Sequence, residues 1–416
     1  MAVAADPYLE PARIQVSVSA DAGRTWSAAT TVRPPGAAKS YDPQLAFAAD
    51  GSLLISGGAS PDTRHGCQRA SEVFLAAMRG SEVSYHVLAV ATGGGLLDRP
   101  TLLAIPGSQR PLVAWTASPG PGADCSLRPV TSTTVVALLT PQLDPGTLTT
   151  LPHVAQAPFG SQLAISGEGV IGLIVAARDG ADGVAVEVYQ SQDGTRWRVS
   201  RAGFGRAEPD RLPGLGGAVL SMPSISGLRH GFVAAWTDTT QGIERTRLAR
   251  GGAGGWQEIP APPTQDARLL PTVAVAGGDV IVVQAALGAA GLSFFTWRQV
   301  GSAWFAIATD LGGIASDRHE VGEALGLAGD RDGSSVTAVP VELAGSSALL
   351  VRSQTAPTGA ASGVASSVSK AGAGRGPARR TGLPTGIEVL IGVVAGLLLL
   401  AGWGRARARR SGRRYR

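Results

Sequence analysis

The sequence predicts an all-β fold, a β-propeller of four-stranded blades, and three observations support this prediction. The 416 residues include 57 Gly and 27 Pro but only 16% charged residues, a composition typical of many short strands joined by tight turns. Pairs of short apolar runs recur along the chain, and two of them begin 56 residues apart, at Asp42 and Asp98. An aromatic residue also recurs in the same phase, as expected when a four-strand unit of ~40–60 residues repeats around a ring.

The clearest element is a hairpin near the N-terminus. The alternating run Ile14-Gln15-Val16-Ser17-Val18 precedes Ser19-Ala20-Asp21-Ala22-Gly23-Arg24-Thr25-Trp26, which predicts a strand, a tight turn and a second strand. Asp21 is expected to accept hydrogen bonds from the turn and Gly23 to adopt positive φ. Ser19 and Thr25 are expected to bind the turn backbone, and Trp26 to cover it.

These residues resemble a known motif. Ser-x-Asp-x-Gly-x-Thr-Trp is similar to the Asp-box of the sialidase-like (BNR-repeat) β-propellers, which lies between the third and fourth strands of a blade. A shortened copy comprises Ser191, Asp193, Gly194 and Trp197. The resemblance implies a fold more than an activity, because these boxes are structural and lie away from the active site of that family.

Six inner strand pairs are predicted, and they begin near Tyr41, Asp98, Gln162, Met222, Leu270 and Glu323. Trp26, Tyr85, Trp197, Trp256 and Trp304 are each expected to open a fourth strand, although burial in ordinary strands is the alternative. The N-terminus supplies only an outer hairpin in this interpretation, and the C-terminal blade has three strands: 323–329, 335–342 and 347–353. Six blades are favoured, with the two ends completing one blade, and seven is the alternative.

The domain organisation predicted is a propeller over residues 1–353 followed by three short segments. Residues 354–383 form an Ala/Gly/Ser/Pro-rich linker with too few large apolar side chains to fold. Residues 384–404 are long and apolar enough for one transmembrane helix, with a core helix as the alternative. Residues 405–416 are an Arg-rich tail, so the positive-inside rule predicts a cytoplasmic C-terminus and an external propeller.

The first seven residues do not resemble a secretory signal. Taken literally, this would leave the propeller in the cytosol. We favour the interpretation that the true start of the chain lies further upstream and includes a signal. The half-blade expected at the N-terminus is consistent with that interpretation.

Charge gives no reason to expect nucleic acid as a partner. The net charge is +5, but subtracting the seven Arg of the last twelve residues leaves −2 for residues 1–404. The basic character therefore belongs to the tail. The five His residues lack metal-ligand spacing, so neither a metal nor another cofactor is predicted.

A ring of polar residues is predicted where loops lead into the first strand of each blade. Most of these loops combine Asp with Arg, and such groups can bind an anionic or sugar ligand. Inter-blade ion pairs and turn-capping Asp residues are the alternative. The candidate ligand-binding residues are Tyr41, Asp42, Asp98, Arg99, Asp210, Arg211, Asp266, Arg268, Asp317, Arg318 and His319.

Cys67 and Cys125 are the only two cysteines. Both are expected between the second and third strands of consecutive blades, so a disulfide could tie two long loops together. That pairing requires an oxidising compartment, which agrees with an external propeller. Two unrelated buried thiols are the alternative.

The function predicted is surface recognition without catalysis, with a glycan or a partner protein as ligand. An exo-sialidase or related glycoside hydrolase is the second hypothesis. Sialidases use three Arg, a Tyr–Glu pair and an acid Asp, but Arg13-Ile14 lacks the Pro of their first Arg motif and no late Arg-x-Tyr occurs. No catalytic residue is therefore assigned. A scaffold for a bacterial envelope complex is the third hypothesis.

Overall fold

The computed structural model describes most of the chain up to residue 354. The described residues are 2–5, 13–21, 23, 25–61, 71–91, 95–118, 131–152, 155–156, 161–179, 183–206, 223–238, 245–263, 269–288, 291–308, 326–329, 332–343 and 346–354. All the regular elements among them are β-strands.

Five antiparallel sheets each contain four consecutive strands, and we number these sheets blades 2 to 6. Blade 2 comprises β4 (Lys39–Phe47), β5 (Leu53–Ser60), β6 (Glu72–Arg79) and β7 (Glu82–Val90). Blade 3 comprises β8 (Leu96–Leu103), β9 (Leu112–Ser118), β10 (Thr131–Leu139) and β11 (Pro145–Thr150), with the short β12 (Ala155–Gln156) paired to β10. Blade 4 comprises β13 (Gln162–Ile165), β14 (Ile171–Asp179), β15 (Gly183–Ser191) and β16 (Arg198–Arg206).

Blade 5 comprises β17 (Ser224–Gly227), β18 (Phe232–Asp238), β19 (Arg245–Gly252) and β20 (Gly255–Ile259). Blade 6 comprises β21 (Leu269–Ala276), β22 (Asp279–Gly288), β23 (Gly291–Val300) and β24 (Ala303–Ala308).

Two further sheets contain three strands each. Blade 1 comprises β1 (Ala2–Ala5), β2 (Ile14–Val18) and β3 (Thr30–Val32). Blade 7 comprises β25 (Gly326–Gly329), β26 (Ser335–Leu343) and β27 (Ser346–Gln354). The described residues therefore form seven sheets, which agrees in number with the seven-blade alternative rather than the six that we favoured.

The first strands of successive blades lie side by side, from β4 past β8, β13, β17 and β21 to β25. Hydrogen bonds link some of them directly. The Thr101 hydroxyl accepts from the Leu163 amide at 3.2 Å, and the Ser224 hydroxyl accepts from the Val273 amide at 3.0 Å. Sheets that pack in sequence around their innermost strands are the architecture of a β-propeller.

Apolar side chains fill the space between neighbouring blades. Phe74 is fully buried between blades 1 and 2, where it packs with Ile14 and Ile55. Phe232 and Trp236 occupy the equivalent space between blades 4 and 5. Full burial of one such side chain contributes roughly 1.5–3 kcal/mol relative to exposure, so the interfaces between blades are the core of this fold.

Three of the outer aromatic residues lie within fourth strands, and each of them also contacts the preceding blade. Tyr85 lies within β7, and its hydroxyl accepts from the Arg33 amide at 3.2 Å. Trp256 opens β20 and donates to the Ser200 hydroxyl of blade 4 at 2.9 Å. Trp304 opens β24 and donates to the carbonyl of the residue that follows β20 at 3.0 Å.

Two sequence predictions at the N-terminus are wrong. The first blade is more than an outer hairpin, because β1 pairs with β2 in register from Ala2 opposite Val18 to Ala5 opposite Gln15. Trp26 lies four residues before β3 begins at Thr30, so it belongs to the turn and does not open the strand. The three C-terminal strands are confirmed.

Candidate functional site

Four of the predicted ligand-binding residues lie within inner strands rather than in the loops that precede them. Tyr41 and Asp42 are the third and fourth residues of β4, and Asp98 and Arg99 are the third and fourth residues of β8. The expectation that they are loop residues is therefore wrong. Because β4 and β8 are adjacent first strands, the structure brings the two pairs to neighbouring positions at the start of these strands, which we call the mouth end of the blades.

A β-bulge interrupts the regular ladder after the first residue of each pair. Pairing shifts between Tyr41 and Gln44 in β4 and between Asp98 and Thr101 in β8. The bulged residues Asp42 and Arg99 have φ of 51° and 50°. Positive φ is uncommon for residues with a Cβ and costs of order 1–3 kcal/mol. Such strain is concentrated at functional sites in proteins, which makes the two bulges candidates for function.

The bulges have a sequence signal that our sequence analysis missed. In each case a proline follows the residue at positive φ, at Pro43 and Pro100, and a proline also lies within the shift between Leu269 and Thr272 in β21. Proline cannot donate to the ladder and restricts the residue before it. A repeated x-Pro-polar triplet at the start of inner strands thus indicates where the ladder breaks.

Tyr41 lies at the centre of this group. Its ring packs over Gly58, the residue opposite it in β5, so closely that a Cβ at Gly58 would lie 2.3 Å from a ring carbon. Burial raises the pKa of Tyr41 far above its usual value of 10, and the charges of Asp98, Asp42 and Glu72 raise it further. The phenol therefore stays protonated and can donate a hydrogen bond.

Glu72, at the start of β6, was not predicted from the sequence. We name the set Tyr41, Asp42, Glu72, Asp98 and Arg99 the mouth cluster. It draws on three strands, and its carboxylates outnumber its one guanidinium by three to one.

Arg99 is engaged by its own neighbour. Its Nε lies 3.8 Å from Asp98 Oδ2, and the two side chains are only 11% and 17% exposed. The Arg99 amide also donates to Asp98 Oδ1 at 3.1 Å. The one guanidinium of the mouth cluster is therefore already compensated, and the cluster is acidic overall.

The remaining predicted positions lie outside the described residues. They are Asp210, Arg211, Asp266, Arg268, Asp317, Arg318 and His319, together with both members of the predicted disulfide, Cys67 and Cys125. The segments that contain the cysteines do lie between second and third strands, after β5 and after β9. Within the described ranges no group of His, Cys, Asp and Glu could hold a metal ion.

The first Asp-box folds as the resemblance implies, between β2 and β3. Asp21 accepts from the Thr25 amide at 2.8 Å and from the Thr25 hydroxyl at 2.7 Å. The Ser19 hydroxyl accepts from the Gly23 amide at 2.7 Å, and Gly23 has φ of 89°. The Trp26 indole donates back to the Gly23 carbonyl at 3.1 Å. The two bonds from Thr25, followed by one from the Ser19 hydroxyl at 2.8 Å, lower the pKa of Asp21 to about 2.

The shortened Asp-box, between β15 and β16, has a similar arrangement of hydrogen bonds. One carboxylate oxygen of Asp193 accepts from the amides of Thr195 and Arg196, both at 2.9 Å. The other oxygen accepts from Arg196 Nε at 2.7 Å. The backbone bond from Arg196 is the largest cause that depresses the pKa of Asp193, and Gly194 supplies φ of 75°. In both boxes the Asp carboxylate thus accepts hydrogen bonds from residues of its own turn.

Two Asp-boxes, each between the last two strands of its sheet, in sheets arranged around their first strands, decide the fold. The chain has a sialidase-like β-propeller fold. A protein of unknown function from Dyadobacter fermentans is 13% identical, with 76% of this chain and 93% of that chain covered and a TM-score of 0.50.

Other solved structures are also similar to this propeller. An α-L-arabinanase from Penicillium chrysogenum complexed with arabinobiose is 17% identical, with 66% of this chain and 81% of that chain covered and a TM-score of 0.43. A Trypanosoma rangeli sialidase in complex with the inhibitor DANA is 9% identical, with 77% of this chain and 55% of that chain covered and a TM-score of 0.47. No protein-family model matches the sequence, and no curated protein matches it.

No helix long and apolar enough to cross a bilayer occurs in the part of this propeller chain that the structure describes. Residues 384–404, predicted to span a membrane, lie outside that part.

Proposed function

We propose that this chain is a membrane-anchored, extracytoplasmic binding module whose mouth cluster recognises hydroxyl-rich ligands, of which glycans are the commonest class. The observation that carries the proposal is the packing of the Tyr41 ring over Gly58 beside two strained bulges, with carboxylates of three strands near enough for their charges to raise its pKa. The segment 384–404 and the Arg-rich tail support the anchor through their sequence alone.

The chemistry of the mouth cluster favours neutral glycans. Carboxylates accept hydrogen bonds from sugar hydroxyls, and bonds to charged groups are among the stronger ones, at about 1.5–3 kcal/mol each. The Tyr41 hydroxyl can donate to a ring or hydroxyl oxygen of the sugar. An anionic sugar is less favoured, because Arg99 already pairs with Asp98.

A glycoside hydrolase is the second candidate, and the same three carboxylates favour it. Most glycosidases place two Asp or Glu residues on either side of the scissile bond, one as acid and one as base or nucleophile. Asp42, Glu72 and Asp98 all influence Tyr41, so a pair of them could serve. In this candidate the mouth cluster would convert its ligand as well as bind it.

The test uses the purified full-length chain in detergent, with neutral and sialylated glycan arrays and a panel of fluorogenic glycosides. Glu72→Gln and Asp98→Asn keep side-chain size but remove charge. Each is expected to weaken binding of a neutral glycan at least tenfold, since 1.4 kcal/mol corresponds to about that factor. The matched control is Asp144→Asn, which alters an exposed carboxylate of the β10–β11 turn.

The outcomes separate the candidates. Binding without turnover that is lost in both variants supports a recognition module, whereas fluorophore release that Glu72→Gln abolishes supports the hydrolase. Binding only to sialylated glycans, lost when Arg99, Arg211 and Arg318 are replaced together, would replace the neutral ligand with an anionic one. Wild-type binding in every variant would exclude the mouth cluster.

A further inference from the structure

A surface cavity of about 410 Å³ lies at the opposite end of the blades from the mouth cluster. Three turns form its walls: the β13–β14 turn of blade 4, the β17–β18 turn of blade 5 and the β19–β20 hairpin of blade 5. The Gly167 amide donates to the Leu228 carbonyl at 2.8 Å and ties the first two turns together. The cavity is thus held by backbone contacts between blades and belongs to neither Asp-box.

Arg250 supplies a cation to this cavity without an acidic partner in the described residues. Its Nη2 donates to Gln299 Oε1 of blade 6 at 2.8 Å, and its Nε is buried without a hydrogen-bond partner. By contrast Arg247, on the same strand, pairs with Glu258 at 2.9 Å. A part-buried guanidinium whose charge is not compensated favours an anion, and its planar donors suit a carboxylate.

Gln190 supplies a hydrogen-bond acceptor, its side-chain amide oxygen. The surrounding hydrogen bonds determine which way this amide is oriented. The Ser200 hydroxyl donates to the Val188 carbonyl at 3.4 Å and accepts from the Trp256 indole at 2.9 Å. A hydroxyl has one donor and two acceptor positions, so its remaining position accepts the Gln190 Nε2 at 3.2 Å.

The amide oxygen of Gln190 is therefore turned toward the cavity, and a Cβ at Gly252 would lie 3.9 Å from it. It accepts no hydrogen bond from the described residues, so it is available to an N–H donor of a ligand.

The rest of the wall consists of apolar residues and of one acidic residue that is paired with a histidine. Val170 and Leu228 present aliphatic surface to the cavity. The one acidic residue among the wall residues described, Glu168, accepts from His230 Nδ1 of the next blade at 2.7 Å, so its carboxylate is already paired across the cavity wall. Among the described residues, the cavity thus combines a cation, an amide oxygen that accepts no hydrogen bond and an aliphatic face.

We propose that this turn-end cavity binds a carboxylate that carries an adjacent amide N–H and a small aliphatic side chain. Arg250 would receive the carboxylate, the Gln190 oxygen would accept from the amide, and Val170 with Leu228 would cover the side chain. This chemistry is shared by the C-terminus of a polypeptide and by an N-acyl amino acid. The site is independent of the mouth cluster and of any glycan ligand.

The test is isothermal titration calorimetry on the full-length chain with three probes: the peptide Ala-Ala-Ala-Leu, the same peptide with an amidated C-terminus, and N-acetylleucine. The free acid is expected to saturate below roughly 10 mM, a tenfold excess over a millimolar Kd. The amidated peptide is expected to bind at least tenfold more weakly. Equal affinity for peptide acid and N-acetylleucine indicates that either source can fill the site, and tighter binding of the peptide assigns it to a chain terminus.

Two pairs of variants localise the binding. Arg250→Gln is expected to weaken the free acid at least tenfold, whereas Arg247→Gln on the same strand leaves it unchanged. Gly252→Leu places a side chain in the cavity without backbone strain and should block binding, whereas Gly254→Leu projects from the same hairpin into open space. No saturable binding of either carboxylate probe, or equal binding in Gly252→Leu and Gly254→Leu, overturns the proposal.

Discussion

The two ends of the blades use aspartate in opposite ways. The end opposite the mouth cluster, where the Asp-boxes and the cavity lie, is called the turn end. There Asp21 and Asp193 accept hydrogen bonds from amides and hydroxyls of their own Asp-boxes, and glycines adopt the positive φ. At the mouth end, Asp42 itself adopts positive φ in a bulge, and its charge acts on Tyr41 together with that of Asp98 from another strand.

This difference distinguishes aspartates that stabilise a turn from aspartates that are candidates for ligand binding. A carboxylate whose acceptors are filled within five residues stabilises its turn and has little left for a ligand. A carboxylate held in a strained bulge, beside groups from neighbouring strands, needs the whole fold to keep it there. Function is therefore expected where local chemistry alone does not explain the residue.

The largest loss of stability is expected where a glycine of one blade packs against the backbone of the neighbouring blade. A Cβ at Gly227 would lie 1.8 Å from the Ile165 carbonyl oxygen of blade 4, and a backbone atom cannot move aside. Gly227→Ala should therefore lower the free energy of unfolding by about 3 kcal/mol, the upper range for overpacking. Urea denaturation measures it, with Gly254→Ala as the control in open space. Equal stability of the two variants would contradict the tight contact.

A smaller effect is expected at the mouth end, where the neighbour is a side chain. Gly58→Ala places its Cβ against the Tyr41 ring, which can shift, so a loss of about 1–2 kcal/mol is expected together with weaker glycan binding. In a Tyr41→Ala background the same substitution should cost much less. A double-mutant cycle measures this coupling, and strictly additive losses would disprove the Tyr41–Gly58 contact.

The mouth end should lose stability in base. The folded chain holds the Tyr41 proton above its usual pKa of 10, whereas the unfolded chain releases it near 10, so this contribution is present below pH 10 and declines above it. Tyr41→Phe should flatten the fall in thermal stability above pH 10. Tyr189, whose pKa burial also raises, contributes its own part of this fall, so Tyr41→Phe with Tyr189→Phe should flatten it more than either substitution alone. An unchanged alkaline slope in Tyr41→Phe would refute the assignment.

The turn end should lose stability in acid. The pKa of Asp21 is lowered from 3.8 to about 2, so its contribution is present above about pH 4 and is lost as the pH falls from 4 to 2. The pKa of Asp193 is lowered as well. Replacing both residues by Asn should lower stability at neutral pH and flatten this acid limb. Thermal melts at several pH values measure it, and the prediction fails if the acid limb keeps its wild-type slope.

The smallest effect on stability is expected at the strained bulge. Asp42→Gly removes the Cβ that disfavours positive φ, which stabilises the folded chain. It also increases the conformational entropy of the unfolded chain, so the two effects oppose each other and the free energy of unfolding should change by less than about 1 kcal/mol. Ala46→Gly, in the regular part of β4, should destabilise the chain by about 0.5–1 kcal/mol. Glycan binding should fall only in Asp42→Gly. A larger loss at residue 42 than at residue 46 would argue against backbone strain.

Much of the repeat was predictable because its signals are local. The Asp-box residues, the aromatics near fourth strands and the inner pair at Leu45 and Leu53 follow from spacing within about ten residues. The bulges at Asp42 and Arg99 were missed because a proline after a polar residue was interpreted as a loop. β1 was missed because four small residues carry no alternating pattern.

The sequence by itself determined the Asp-box turns and most of the strands, since turn chemistry and side-chain alternation act between near neighbours. Only the tertiary structure decided which elements share a site. The charge of Glu72 acts on Tyr41, and Gln190 faces Gly252, because separate strands pack together. Such meetings depend on how the sheets pack together, and no short stretch of sequence encodes them.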